Sequence, residues 1–334
     1  MTQRELAARL GLSYATVSRA FNDDPRVTGP TRRRILREAE RLGFRGNTLA
    51  RALRLGRTFA IGVIYPNTSD SYWSTVLTGM EQRAREDGFH VIICHRQASL
   101  PSTEEIRFLL ERRVDALVVQ PYNQDEDSRF LAEVAAGPTP LIILDNRLPG
   151  VRSHFVGTDS RTGGRLACEY LLGLGHRRIA YAAGPAGNHA AAGRLQGYHD
   201  ALAACPDHPE PCVVPAGWDR SDGEAAGDSV LALGTPPTAV MAVNDRCALG
   251  IWLSLRRAGL RIPQDISLVG HSGDPLGEYL ETPLTTVRQP AAELGRRAVE
   301  IALAAIETAG LPLHAEEIPE ELVIRDSCAP PRAR

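Results

Sequence analysis

Lysine is absent from this chain of 334 residues, and all 38 of its basic side chains are arginine. That bias reads as GC-rich coding more than as chemistry. No apolar run is long enough to span a bilayer, and the first residues form a charged segment without a signal-peptide pattern. A membrane-spanning or exported protein is thereby disfavoured and a cytoplasmic one expected. The six cysteines (Cys94, Cys168, Cys205, Cys212, Cys247, Cys328) include no C-x-x-C pair, so free thiols in a reducing compartment are the simplest reading. Cys205, His208 and Cys212 offer three potential metal ligands on one short segment, but a closed zinc site uses four. The prolines between them suit a rigid surface loop better, and neither metal nor cofactor is expected. Both phosphate-loop fingerprints, G-x-x-x-x-G-K-[S/T] and G-x-G-x-x-G, are missing, which leaves Gly163-Gly164 and Gly184-Pro185 to turns and close packing. A G-x-S-x-G elbow and an H-E-x-x-H helix are missing too, so no motif speaks for an enzyme.

What is present is unevenly distributed. Residues 1–57 hold 13 arginines against 5 acidic side chains, a net +8, whereas the remainder holds 25 against 35, a net −10. A basic head on an acidic body suits a module that meets a polyanion joined to one that does not. A basic surface is also compatible with plain solvation. The length allows one small and two medium domains, each able to bury a core. Residues 4–10 read as a short helix, with Thr2 and Glu5 at capping-box spacing before it. Gly11-Leu12-Ser13 reads as a tight turn, and Ser13 is placed to cap a second helix. Tyr14, Ala15, Ser18 and Arg19 then lie near an exposed N-terminal face, where a helix-turn-helix presents side chains to base edges. An ordinary pair of surface helices is the plainer alternative. A basic third helix follows over 31–39.

Four motifs continue the pattern: T-V-S-R-x-x-N at 16–22, V-T-x-x-T-R at 27–32, N-x-x-A-R-x-L at 47–53 and R-T-x-x-I-G-V at 57–63. On these motifs the chain resembles the lactose-repressor/galactose-repressor family of bacterial transcription regulators, along essentially its whole length. The resemblance implies a homodimer that binds a pseudo-palindromic operator in double-stranded DNA. Base reading is expected from Tyr14, Ala15 and Arg19, whose guanidinium fork matches guanine O6 and N7. Phosphate contacts are expected from Ser13, Thr16, Asn22, Arg26 and Thr28, with Arg4 and Ser18 alongside. A hinge helix over 47–55 carries Asn47, and Leu53 is the implied apolar wedge for the minor groove. The chain ends soon after its last strand, so a dimer is expected in place of the tetramer of the lactose repressor.

From residue 59 onward, short apolar runs alternate with amphipathic helical stretches. Strands are expected at 59–65, 91–94, 116–120, 141–144, 155–157, 179–183, 213–215, 239–243 and 266–270. Such alternation implies an α/β fold of parallel sheets with helices on both faces, and there is enough of it for two doubly wound lobes. With the resemblance, the expectation is a helix-turn-helix head over 1–46, a hinge and linker over 47–57, and a periplasmic-binding-protein-like body over 58–334. Lobe 1 would comprise about 58–154 and 285–326, and lobe 2 about 155–284.

Ligands of doubly wound sheets bind beyond the carboxyl ends of the strands. There the resemblance places an effector site: Asp159, Arg194 in an R-L-x-G-Y motif, Asn244, and the aromatics Tyr72, Trp73 and Trp218. Flat rings beside carboxylate, amide and guanidinium groups suit a sugar. Plainer readings stand beside these, since Asp159 and Asp245 can be helix caps and the aromatics core residues. Ser272 stands where relatives carry an aspartate that accepts sugar hydroxyls, and His271 replaces the aromatic before it. A sugar acid is therefore weighed beside a neutral sugar. The function expected is a ligand-responsive repressor of carbohydrate genes. Its alternatives are a solute-binding protein without a regulatory role and a corepressor-type regulator of a non-sugar metabolite such as a nucleobase.

Overall fold

A computed structural model of the chain describes residues 2–21, 24–42, 56–66, 70–96, 102–121, 124–308 and 310–332. The chain divides into two compact units, Met1–Thr58 and Phe59–Arg334. The expected hinge at 47–55, with Asn47 and Leu53, lies outside the described residues, as does Asn22.

The described residues of the head form three helices: α1 (Gln3–Leu10), α2 (Tyr14–Phe21) and α3 (Gly29–Arg41). The capping box forms as its spacing suggests. Glu5 N donates to Thr2 Oγ1 at 3.2 Å and Thr2 N to Glu5 Oε2 at 2.9 Å, satisfying two donors that the helix start leaves open. Gly11 ends α1 with φ 66°, a left-handed value that glycine adopts without Cβ strain. Leu6, Leu10, Val17, Ala20, Ile35 and Ala39 meet in the small core beneath the three helices.

The body holds two six-stranded sheets. The first has the order β11-β5-β4-β3-β1-β2 and consists of β1 (Ala60–Pro66), β2 (His90–Arg96), β3 (Ala116–Val119), β4 (Leu141–Leu144), β5 (His154–Thr158) and β11 (Ala315–Ile318). The second has the order β12-β10-β9-β8-β6-β7 and consists of β6 (Ile179–Ala183), β7 (Cys212–Pro215), β8 (Ala239–Ala242), β9 (Ser267–Ser272), β10 (Thr285–Arg288) and β12 (Glu321–Val323). Among the described residues, every pairing is parallel except that of β10 with β12. Alternation along β1 sends Ile61 and Val63 into one helix layer and Ile64 into the other, as a sheet buried on both faces requires.

Three helix pairs cover the sheets: α4 (Ser71–Glu86) with α11 (Ala291–Glu307), α7 (Ser160–Gly173) with α8 (His189–Ala204), and α9 (Arg220–Leu231) with α10 (Asp245–Arg257). Helices α5 (Thr103–Glu111) and α6 (Gln124–Ala135) complete the first lobe. Each pair crosses through reciprocal glycines. A Cβ on Gly79 or Gly295, Gly164 or Gly197, or Gly223 or Gly250 would overlap a backbone carbonyl oxygen of the partner helix. Gly164 thus serves close packing, not a phosphate.

The expected lobe boundaries need correction. Strand β5, assigned in part to lobe 2, pairs with β4 and β11 in the first sheet. Strands β10 and β12, assigned to lobe 1, belong to the second sheet. The chain therefore crosses between lobes at 159, at 289–290 and at 319–320. The crossovers are tied together: Gln289 Nε2 donates to Thr158 Oγ1 at 2.8 Å, and Ser160 Oγ to Glu320 Oε1 at 3.3 Å. Apolar periodicity cannot reveal such a swap, because a strand looks alike in either sheet. Among the described residues, no helix is long and apolar enough to cross a membrane.

Candidate functional site

In the head, Tyr14, Ala15 and Arg19 are exposed on one side of α2 while Val17 and Ala20 fill the core. Tyr14 is 52% exposed, so its ring is open to a partner. The Arg4 guanidinium lies 5.8 Å from its centroid, so Arg4 stands beside the same face. Ser13 Oγ accepts from Thr16 N at 3.0 Å and bonds Thr16 Oγ1 at 2.9 Å, capping α2 and binding both hydroxyls locally. Ser18 is half-buried. Thr28 Oγ1 bonds Thr31 Oγ1 at 2.9 Å. Arg26 forms a forked pair with Asp24, Nη2 to Oδ2 at 2.7 Å, so a phosphate must compete with that carboxylate for it.

In the body, the second site lies where strand ends of both lobes meet the crossovers. Arg194, on α8, is only 4% exposed. Its Nη1 donates to Val243 O at 2.6 Å, its Nε has no partner, and its guanidinium lies 5.7 Å from the Trp218 ring centroid. Asn244 uses both ends of its amide: Oδ1 caps α10 by accepting from Cys247 N at 2.7 Å, and Nδ2 donates to Trp218 O at 2.9 Å. It holds Trp218 in place. From lobe 1 comes Tyr72, edge to face with Trp73 at 5.0 Å; both rings are buried in the lobe 1 core, the plainer reading for Trp73. Tyr72 lacks a hydrogen-bond partner for its hydroxyl. Asp159 accepts from Thr162 N at 3.0 Å and caps α7, the plainer of its two readings.

Ser272 has φ 121°, and its Oγ donates to Asp245 Oδ2 at 3.3 Å. Asp245 is buried and also accepts from Thr286 Oγ1 at 2.7 Å and Asp274 N at 2.6 Å. Burial pushes its carboxyl up to about 6 despite these donors. Asp274 turns to the other lobe, accepting from Ser71 Oγ at 2.9 Å. A second bond across the cleft joins His189 N to Asn146 Oδ1 at 2.8 Å. Beside the cleft mouth, a cavity of about 400 Å³ is lined by Ser71, Tyr72, Ser272, Asp274 and Gln289 among others.

Two residues at the site, Asp145 and Glu320, had not been singled out as contacts. Asp145, just past β4, adopts φ 62° and leaves Oδ1 buried without a partner, and burial pushes it up to about 6 although Arg194 pulls the other way. Its position after an apolar strand is the same signal that drew attention to Asp159. Glu320, on the third crossover, has a fully buried side chain whose Oε2 lies 2.8 Å from His271 Nε2 as an ion-pair contact. His271 is itself buried, which with nearby Arg194 lowers its proton affinity. Nothing in the run Ile318-Pro319-Glu320-Glu321 marks Glu320 in advance. Cys205, His208 and Cys212 form a turn and the start of β7, and no group of three or more metal-ligating side chains occurs among the described residues.

Residues 168–328 match the family model described as a periplasmic binding protein-like domain. The chain is 30% identical to the HTH-type transcriptional repressor PurR of Vibrio vulnificus over 98% of both chains, and 31% identical to the ribose operon repressor of Haemophilus influenzae over 92% of both. The chain belongs to the LacI family of transcriptional regulators. Among solved structures of that family, the lac repressor dimer bound to operator and the anti-inducer ONPF superposes with a TM-score of 0.86 at 27% identity, covering 98% of this chain and 99% of that one. A LacI family regulator from Enterococcus faecium with bound ribose gives 0.73 at 28% identity, covering 82% of this chain and 100% of that one. This LacI family member is accordingly a ligand-responsive transcriptional repressor.

Proposed function

We propose that the protein binds a pseudo-palindromic operator as a homodimer, represses genes for uptake or breakdown of a carbohydrate, and is switched by a small sugar, without catalysing a reaction. The observation that carries the reading is the cleft, where buried polar side chains from both lobes converge. A ligand shifts an equilibrium only through its differential affinity for the two states. Groups on both lobes supply that difference, because their spacing changes whenever the lobes rotate. Arg194 and Asn244–Trp218 would grip the ligand from lobe 2, and Tyr72 and Asp145 from lobe 1.

Base reading is assigned to Tyr14, Ala15 and Arg19, supported by their exposure on α2. One such helix reads few base pairs, so two heads on related half-sites are needed for useful specificity. Asn47 and the Leu53 wedge are retained from the motif alone. A gel shift with DNA from upstream of the gene, with and without candidate sugars, tests the reading. Release by sugar indicates an inducer and tightening a corepressor. No shift with any upstream fragment removes the regulatory assignment.

A further inference from the structure

Among the described residues, four buried side-chain atoms at the lobe junction have no polar partner, Tyr72 Oη, Asp145 Oδ1, Tyr181 Oη and Arg194 Nε, and beside them Glu320 Oε2 meets only His271 Nε2, at 2.8 Å. Buried polar atoms are nearly always satisfied, so this concentration is the mark of a site whose partners arrive with a ligand. These groups feel one another's charge: Tyr72 that of Asp145, Arg194 and Glu320, and Tyr181 and His271 that of Arg194 and Glu320. They form one cluster drawn from both lobes and the third crossover.

The charges of this cluster do not balance. Asp70, Asp145, Asp245, Asp274 and Glu320 bear on it or border it, against Arg194, Arg246 and the two histidines His189 and His271. Arg246 is already bonded to Asp219 at 2.9 Å, and Arg194 Nη1 donates to the backbone carbonyl of Val243. Burial and Arg194 lower the proton affinity of His271, while Glu320 beside it acts the other way. Glu320 sits over Gly163, where a Cβ would overlap Oε2, so that glycine is the space its carboxylate occupies. Ionised carboxylates only accept hydrogen bonds. An acidic ligand would add a further acceptor of the same sign. A neutral hydroxyl brings one donor, and an ammonium brings three donors and the missing charge.

We propose that Glu320, together with Asp145, makes this a site for an aminated ligand, so that an amino sugar binds in preference to its neutral parent and a sugar acid is rejected. The proposal rests on the carbohydrate reading above and deepens it. The difference between a charge-assisted and a neutral hydrogen bond corresponds to about tenfold in affinity.

The test uses the full-length protein and two matched trios: glucose, glucosamine and glucuronic acid, and galactose, galactosamine and galacturonic acid. Dissociation constants come from calorimetry after a thermal-shift screen. Within a trio that binds, the hexosamine is expected to be about tenfold tighter than the hexose, with the uronic acid weakest. Glu320→Gln should bring hexosamine and hexose to near equality, and Asp145→Asn should narrow the gap if the first variant does not fold. Hexose binding equal to or tighter than hexosamine, a preference for the uronic acid, or an unchanged ratio in Glu320→Gln overturns the proposal while leaving the carbohydrate reading intact. No shift with any of the six sugars overturns both.

Discussion

The head and the cleft solve opposite problems with similar residue types. Arg19 stands in solvent on α2, whereas Arg194 is 4% exposed and bonded to Val243 O. Tyr14 is exposed and Tyr72 buried. A surface that reads DNA must leave its side chains outside, so it works from one short helix held by a few apolar contacts. A cleft that senses a small molecule must take polar groups out of water, where each depends on partners from several elements. The lesson is that exposed function resides in local sequence and buried function in tertiary context.

The comparison breaks first, if it breaks, at the two arginines. Arg194→Ala should weaken effector binding by about 1.5–3 kcal/mol, because it removes the buried guanidinium whose Nε would donate to a ligand oxygen. The operator shift without ligand should persist while its response to ligand disappears. A mutant that responds at the wild-type ligand concentration would take Arg194 out of the site. The next effect concerns burial itself. Asp145 has its carboxyl raised to about 6, above the ordinary Asp value, so the native chain holds a proton that the unfolded chain releases between about pH 4 and pH 6. Stability should therefore fall as pH rises through that window, by up to about 3 kcal/mol. Asp145→Asn should remove that share of the slope in urea titrations at pH 4.5 and 7. An unaltered slope would show that Asp145 is not the group responsible.

On the head, Arg19→Ala should cost about 1–3 kcal/mol of discrimination at one base pair. Arg26→Ala should instead weaken all sequences alike and lower the salt slope by about one. Loss of affinity without any change of preference in both variants would remove the distinction between reading and anchoring. The smallest effect belongs to the bond across the cleft. Ser71→Ala removes the donor to Asp274, and should change the half-maximal ligand concentration by the equivalent of about 0.5–1.5 kcal/mol. Titration of operator release with ligand measures it; a larger change would mean that Ser71 does more than latch the lobes, and no change that the bond carries none of the coupling.

By itself the sequence determined the head and the class of the body. Thr2 and Glu5 specify a helix start, Gly11 a helix end, and Val17 and Ala20 the buried side of α2, all through interactions within a few residues. Alternating apolar runs specify strands because a sheet buried on both faces admits little else, and the nine expected strands fall where strands occur. Tertiary structure alone decided which sheet takes β5, β10 and β12, since pairing depends on neighbours far along the chain. It decided that Asp159 and Asn244 cap helices and that Asp274 turns toward Ser71. It also brought Glu320 against His271 and Asp145 within reach of Arg194's charge. A carboxylate's role is set by what else has left water beside it, and no local pattern of residues carries that information.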